Sequence, residues 1–116
     1  MTNVTQQDDI MAQVEHIEAA TGLIDILINN AGMQLCHPFE CFDADIFEQM
    51  IVFNLKVASY TGKALSTFTI PRRHGQIITI ASVVSLLVGP VLTLFCTKGA
   101  IANLTKGMAA DWAGYG

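Results

Sequence analysis

A chain of 116 residues with 52% hydrophobic and 14% charged side chains carries more apolar surface than one domain of its size hides, since soluble domains average about 25% charged residues. It reads as part of a larger core. A formal net charge of −4 with six Lys and Arg makes no basic patch, which excludes nucleic acid as the expected partner.

Cys36, Cys41 and Cys96 form no disulfide framework and suit a reducing cytoplasm. Cys36, His37 and Cys41 lack the tight pair and fourth ligand of a structural zinc, so no metal is expected. The stretch from Met1 to Asp9 has neither the charged nor the apolar region of a signal peptide.

Taken in order, Thr5 is placed to cap a helix whose first turn holds Asp8 and Asp9, both favourable at the positive end of the helix dipole. Ile10, Val14 and Ile17 fall on one stripe, and Gly22 ends the helix where a positive φ is cheap. Leu23 to Ile28 is apolar except for Asp25 and too short for a helix, which predicts a strand buried on both faces. It runs into Asn29-Asn30-Ala31-Gly32. On composition this is an ordinary strand-ending turn first, and second a place where glycine lets the backbone pass close to another body.

Asp43 predicts the cap of a long helix from Asp43 to Phe68, with Phe42 and Phe47 as a hydrophobic staple and Asp45 and Glu48 in the first turn. Its stripe is Phe47, Met50, Ile51, Asn54, Val57, Ala58, Thr61, Leu65 and Phe68. Asn54 is the amide in that stripe, and a buried amide must find partners, so it is either a satisfied core group or part of a site. Pro71 predicts the helix end, residues 72–75 an exposed turn, and Gln76 to Ala81 a second strand.

From Gly75 to Thr97 no residue is charged, long enough on its own for a membrane span. Gly89-Pro90, the β-branched first part, and Thr79, Ser82, Ser85 and Thr93 favour a strand, a loop and a helix start, so no membrane partner is expected. Helical spacing returns from Val91, with Ile101, Leu104, Met108 and Trp112 on one stripe. The order helix-strand-helix-strand-helix predicts an α/β fold, a doubly wound parallel sheet in three αβα layers. No linker or repeat divides the chain, so residues 1–116 are expected to form one domain. Two strands leave edges and stripes unsatisfied, which makes that domain incomplete.

Asn29-Asn30-Ala31-Gly32 after a strand, Asn54 in the next helix, Ser82 after the next strand and Lys98 in the helix beyond resemble, in this order and spacing, the short-chain dehydrogenase/reductase family. Arg73-His74-Gly75-Gln76-Ile77-Ile78-Thr79-Ile80-Ala81-Ser82 is similar to its 3-oxoacyl-carrier-protein reductases, and Gly107-Met108-Ala109-Ala110-Asp111-Trp112-Ala113 to its gluconate and other sugar-acid dehydrogenases. The resemblance covers nearly the whole chain but about the middle half of a family subunit.

The resemblance implies a partial Rossmann-like fold and an oxidoreductase that uses NAD or NADP on a small molecule, a sugar acid, polyol or 3-oxoacyl group. By position it places Asn3 and Val4 beside the adenine, with Asn3 standing where the family has an acid, and Asn30, Ala31 and Gly32 against the adenosine ribose. Asn54 matches the asparagine that holds an active-site water, and Ser82 the serine that hydrogen-bonds the substrate oxygen. Lys98 matches the lysine that binds the nicotinamide ribose and lowers the pKa of a tyrosine. That tyrosine, the family's general acid and base, is missing. Four residues before Lys98 stands Leu94, and the family's interval counted from Ser82 leads to Phe95. Tyr60 and Tyr115 are the only tyrosines. The glycine-rich phosphate loop belongs to a first strand-helix unit absent from this sequence. The resemblance therefore implies weak or absent catalysis, with a non-catalytic interaction subunit as the alternative, forming homo- or hetero-oligomers through helices 43–68 and 91–112.

Overall fold

The computed structural model describes residues 5–35, 37–86 and 92–116, leaving out the side chains of Phe39 and residues 92–95. Its regular elements are α1 (Gln7–Thr21), β1 (Ile26–Asn29), α2 (Ala44–Ile51), α3 (Val57–Arg72), β2 (Gln76–Thr79) and α4 (Leu92–Trp112). A π-helical turn, Val52–Lys56, joins α2 to α3, and short 3-10 turns stand at Phe39–Cys41, Val83–Ser85 and Ala113–Tyr115. The strands are parallel, with Ile26 opposite Gln76, Ile28 opposite Ile78 and Asn29 opposite Thr79. The alternation of helix and strand expected from the sequence is the order observed, and the architecture is α/β.

In α1 the capping position is Gln6 rather than Thr5, in extended backbone and without a side-chain cap bond, so Asp8 and Asp9 are what meet the helix dipole. Ile10 is buried while Ile17, two turns on, is 37% exposed. Gly22 closes the helix at φ +94°, where its N–H donates to the Glu18 carbonyl at 3.2 Å. A side chain there meets strain from its own backbone, which is why glycine ends this helix.

β1 begins at Ile26, later than the apolar run, and it is not buried on both faces. Leu27 and Asn29 are half-buried on the helical side, whereas Ile26 and Ile28 are 54% and 59% exposed, because no described element covers the other face. The same alternation recurs in β2.

Asp43 caps α2 as the sequence suggests, its Oδ1 accepting the Asp45 N–H at 2.8 Å. Phe42 and Phe47 meet edge to face at 6.3 Å and 88°, the staple geometry. The long helix is not uniform, however. The π turn inserts one residue into the helical repeat at Val52–Lys56 and re-aims the stripe on either side of it. Met50, Asn54, Val57, Ala58, Ala64 and Leu65 are buried along the join. Pro71 does not end α3 either; it costs one backbone donor in the last turn, and the helix stops at Arg72 because Arg73 adopts φ +55°.

α3 and α4 lie on the helical face of the sheet. A Cβ added to Gly62 would stand 3.1 Å from Met108 Sδ and 3.8 Å from Ile77 Cδ1, so the glycine lets the two helices and β2 close on one another. At the far end, Arg72 Nη1 donates to both Glu18 oxygens at 3.1 Å and its Nη2 donates to the Ile24 carbonyl, while Glu18 Oε1 also accepts the Ile24 N–H at 3.0 Å. This ties the end of α1, the approach to β1 and the end of α3 in one knot. Lys56 and Glu48 form a second ion pair at 2.8 Å, and that hydrogen bond holds the Lys56 ammonium above its ordinary value. Both partners are exposed, so solvent screens the pair and it adds little. No helix among the described residues is long and apolar enough to cross a membrane.

Two stability measurements follow. With Arg72 and Glu18 only 17% and 8% exposed at their side chains, Arg72→Leu strands a carboxylate and a carbonyl, and urea denaturation reads a loss of about 3 kcal/mol. Gly22→Ala forces a Cβ into positive φ and costs about 1 kcal/mol in the same assay.

Candidate functional site

Parallel strands bring their carboxyl ends to one edge, and there β1 delivers residues 30–33 while β2 delivers residues 80–85. The π turn and the first half of α4 stand beside that edge. Asn54, 1% exposed, lies in the π turn. Its Oδ1 accepts the Met33 N–H at 2.8 Å, and its Nδ2 donates to the Met33 carbonyl at 2.9 Å and to Thr97 Oγ1 at 3.1 Å. One carboxamide thus satisfies both backbone groups of a loop residue, as a neighbouring strand would. Because the Met33 N–H needs an acceptor and its carbonyl a donor, the amide has one orientation.

Gly32 precedes this clamp. A Cβ there would fall 3.1 Å from Asn54 Oδ1 and 3.7 Å from Lys98 Nζ, so the bare glycine keeps a gap between the clamp and the cation. Lys98 Nζ donates to the Ile80 carbonyl at 2.8 Å, which sets the ammonium at the carboxyl end of β2. Gly32, Asn54 and Lys98, distant in sequence, are therefore brought together.

Ser82 joins them indirectly. It opens the Val83–Ser85 turn, where its N–H donates to Ser85 Oγ at 3.3 Å and its own Oγ accepts the Val84 N–H at 3.4 Å. Ser85 Oγ in turn donates to the Lys98 carbonyl at 2.9 Å. The Ser82 side chain is exposed at the mouth of the site, with its hydroxyl proton free to donate. Asn30 and Ala31 are also exposed, in the loop that Met33 anchors. Asn3 and Val4 lie outside the described residues, as do the side chains of Leu94 and Phe95.

Met33, Ile80, Thr97 and Ser85 take part without having been singled out by the sequence. Met33 and Ile80 act through backbone groups, which leave no residue-type signal. Thr97 is fully buried next to Lys98, so its hydroxyl must be hydrogen-bonded, which the structure alone reveals. One polar layer lies deeper, where Thr61 Oγ1 donates to Asn29 Oδ1 at 2.7 Å on the helical face of β1.

Asn54→Ala leaves the Met33 N–H and carbonyl without their partner and is expected to cost about 2–3 kcal/mol in urea denaturation, more than Thr97→Val, which leaves both Met33 bonds in place. Amide exchange at Met33 speeds up in the first variant and is nearly unchanged in the second.

The family model for short chain dehydrogenase matches residues 1–116. Gluconate 5-dehydrogenase of Gluconobacter oxydans is 43% identical over 115 residues, which are 98% of this chain and 45% of that protein. Among solved structures, a gluconate 5-dehydrogenase from Burkholderia cenocepacia in complex with NADP and tartrate matches with a TM-score of 0.94 and 41% identity over 97% of this chain and 45% of its own. ElxO carrying a tyrosine-to-phenylalanine substitution, with NADPH bound, matches with a TM-score of 0.95 and 28% identity over 98% of this chain and 47% of its own. The chain spans about half the length of the relatives it matches. With its whole described body superposing on these enzymes and the family model running from first residue to last, the chain belongs to the short-chain dehydrogenase family.

Proposed function

We propose that this chain carries the serine-lysine segment of an NAD(P)-dependent oxidoreductase whose tyrosine proton donor has been lost, so that it binds dinucleotide but turns over weakly or not at all. The reaction class is hydride transfer between nicotinamide and a sugar acid, polyol or 3-oxoacyl group. Residues 1–116 are then one incomplete Rossmann-like domain, working in the reducing cytoplasm that its cysteines suit.

The observation that carries the reading is the meeting of Gly32, Asn54 and Lys98 at the carboxyl edge of parallel strands, where open α/β sheets take their ligands. The gap over Gly32 is one a Cβ would fill, and a cation borders it, which fits a ribose hydroxyl approached closely by backbone. NADP and tartrate in the Burkholderia relative support a nicotinamide dinucleotide and a small hydroxy acid as the ligand classes. NADPH bound to ElxO supports the same cofactor class.

When bound, the dinucleotide supplies the hydride acceptor or donor. The remaining work falls to this chain. Lys98 would hold the nicotinamide ribose, with Asn30, Ala31 and Gly32, and beyond them Asn3 and Val4, along the adenosine. Asn54 keeps the Met33 loop and the residue before Lys98 in fixed relation. Ser82 Oγ retains a proton to donate to the substrate oxygen. Proton transfer at that oxygen then needs a group with a pKa near neutrality. Neither Leu94 nor Phe95 has an ionisable group to supply it, and the Lys98 ammonium is engaged by the Ile80 carbonyl.

The absence of tyrosine between Ser82 and Lys98 also favours a second reading, a non-catalytic interaction subunit in a homo- or hetero-oligomer. An NADPH titration followed by the fluorescence of the dihydronicotinamide separates the two. The proposed reading expects saturation, weakened about tenfold or more by Lys98→Ala, a loss of at least about 1.4 kcal/mol, and no NADPH formation above background from NADP and gluconate. An unsaturable response, or one indifferent to Lys98→Ala, removes the dinucleotide site and leaves the interaction reading.

A further inference from the structure

We propose that one buried water molecule is held beneath the site, bridging Asn29 Nδ2 and Thr79 Oγ1 on the helical face of the sheet. The inference goes beyond the dinucleotide reading and does not rest on it.

Asn29 and Thr79 end β1 and β2, and the parallel register sets them side by side on neighbouring strands. Both turn toward the helices. Among the described residues, Asn29 Nδ2 and Thr79 Oγ1 are side-chain atoms closed to solvent that have no hydrogen-bond partner. Unpaired buried donors are costly and rare in native proteins, and a bound water is a usual remedy. Two such atoms on directly opposed residues point to one partner shared between them.

The geometry suits water. Side chains on strands ~4.8 Å apart are separated by more than the ~2.9 Å of one hydrogen bond and by less than the ~5.8 Å that two bonds through a water oxygen reach. Asn29 Oδ1 already accepts the Thr61 hydroxyl at 2.7 Å, so the amide nitrogen is the end left over. A donor facing the space excludes a metal cation, and two neutral groups do not offset the desolvation of an anion. Water accepts from the amide and either gives a proton to the threonine oxygen or takes one from it. Reversing the Asn29 amide turns the orphan from donor to acceptor at the same point, and water serves that arrangement too. Both atoms are shielded by the chain's own residues, so their partner is enclosed with them.

This water lies under the lysine. Thr79 precedes Ile80, whose N–H donates to the Asn29 carbonyl at 2.9 Å and whose carbonyl accepts Lys98 Nζ at 2.8 Å. The bridge therefore ties through side chains the same strand ends that the Ile80 peptide ties through backbone, and Thr61 carries the layer on to α3. It is separate from the water that the family resemblance assigns to Asn54, whose amide is engaged by Met33 and Thr97. It is separate also from a cavity of about 300 Å³ at the other end of β2, which Thr69, Gln76, Met108 and Trp112 help to wall and which neither Asn29 nor Thr79 borders.

Oxygen-17 relaxation dispersion counts the waters that stay with a folded protein and is blind to proton exchange at hydroxyls. Applied to the full 116-residue chain, it is expected to count one such water fewer in Thr79→Val than in the parent, and the parent's number in Thr79→Ser. Nuclear Overhauser contacts give the place: the Asn29 side-chain amide protons contact water in the parent and in Thr79→Ser, and lose that contact in Thr79→Val. The valine variant is nearly isosteric and keeps the parent's circular dichroism; should it not fold, the parent and Thr79→Ser still decide, since both must show the contact. The proposal is overturned if the parent's Asn29 amide shows no water contact, if folded Thr79→Val keeps the parent's count and contact, or if the Asn29 amide protons contact the Thr79 hydroxyl directly with no long-lived water counted. No nucleotide enters either measurement, so failure here is distinct from failure of the dinucleotide site.

Discussion

The site depends on one carboxamide. Asn54 meets the N–H and the carbonyl of Met33 with its own two ends, as a paired strand would, and has a donor left for Thr97. Without it, both backbone groups of Met33 in the loop after β1 would lose their side-chain partner, and α4 would lose a direct tie to that loop one residue before Lys98. The π turn makes this possible. A regular helix would carry residue 54 on the same stripe as Met50 and Leu65, packed as they are into the core; the inserted residue shifts the stripe locally and aims the amide at backbone. π turns of this kind gather at functional positions, and this one coincides with the polar residue of the helix stripe.

The two ends of the molecule are secured by different physics. At the amino end of the strands an ion pair, Arg72 with Glu18, is almost closed off from solvent and reinforced by the Ile24 backbone, so its partners depend strongly on one another. At the carboxyl end the bonds are neutral amide and hydroxyl contacts, individually modest, and the charge present is the Lys98 ammonium, left only half-buried beside a glycine gap. The site thus keeps a cation and a serine hydroxyl accessible, while the ion pair stands at the opposite end of the strands. This division suits a surface that receives a polar ligand.

Much of this was legible in sequence. The alternation of elements, the Asp43 cap with its Phe42-Phe47 staple and the glycine end of α1 follow from local spacing, and all three stand in the structure. The family, too, could be recognised from four short motifs in order. Other features were hidden for physical reasons. Thr5 looked like a cap because threonine is a good one, but the chain enters α1 one residue later. Pro71 looked like a terminator, yet in the last turn a missing donor is tolerated and the positive φ of Arg73 does the stopping. Helical periodicity cannot show a single inserted residue, so the π turn at Asn54 left no trace. Continuous apolar strands spoke for two covered faces; among the described residues helices cover one, which no local pattern can report. Of the site, Gly32, Asn54 and Lys98 could be named in advance, while their meeting through Met33, Thr97 and Ile80 could not, since two of those three act through backbone.

The central claim is that the glycine-clamp-lysine group at the carboxyl edge receives a nicotinamide dinucleotide. A residue-resolved NMR titration of the chain with NADPH tests it most directly. The account predicts saturable shifts at the amides of Gly32, Met33 and Lys98, with those of Thr69 and Gln76, beside the cavity at the other end of β2, unmoved. Shifts confined to that cavity, or none at all with the chain folded, would contradict it.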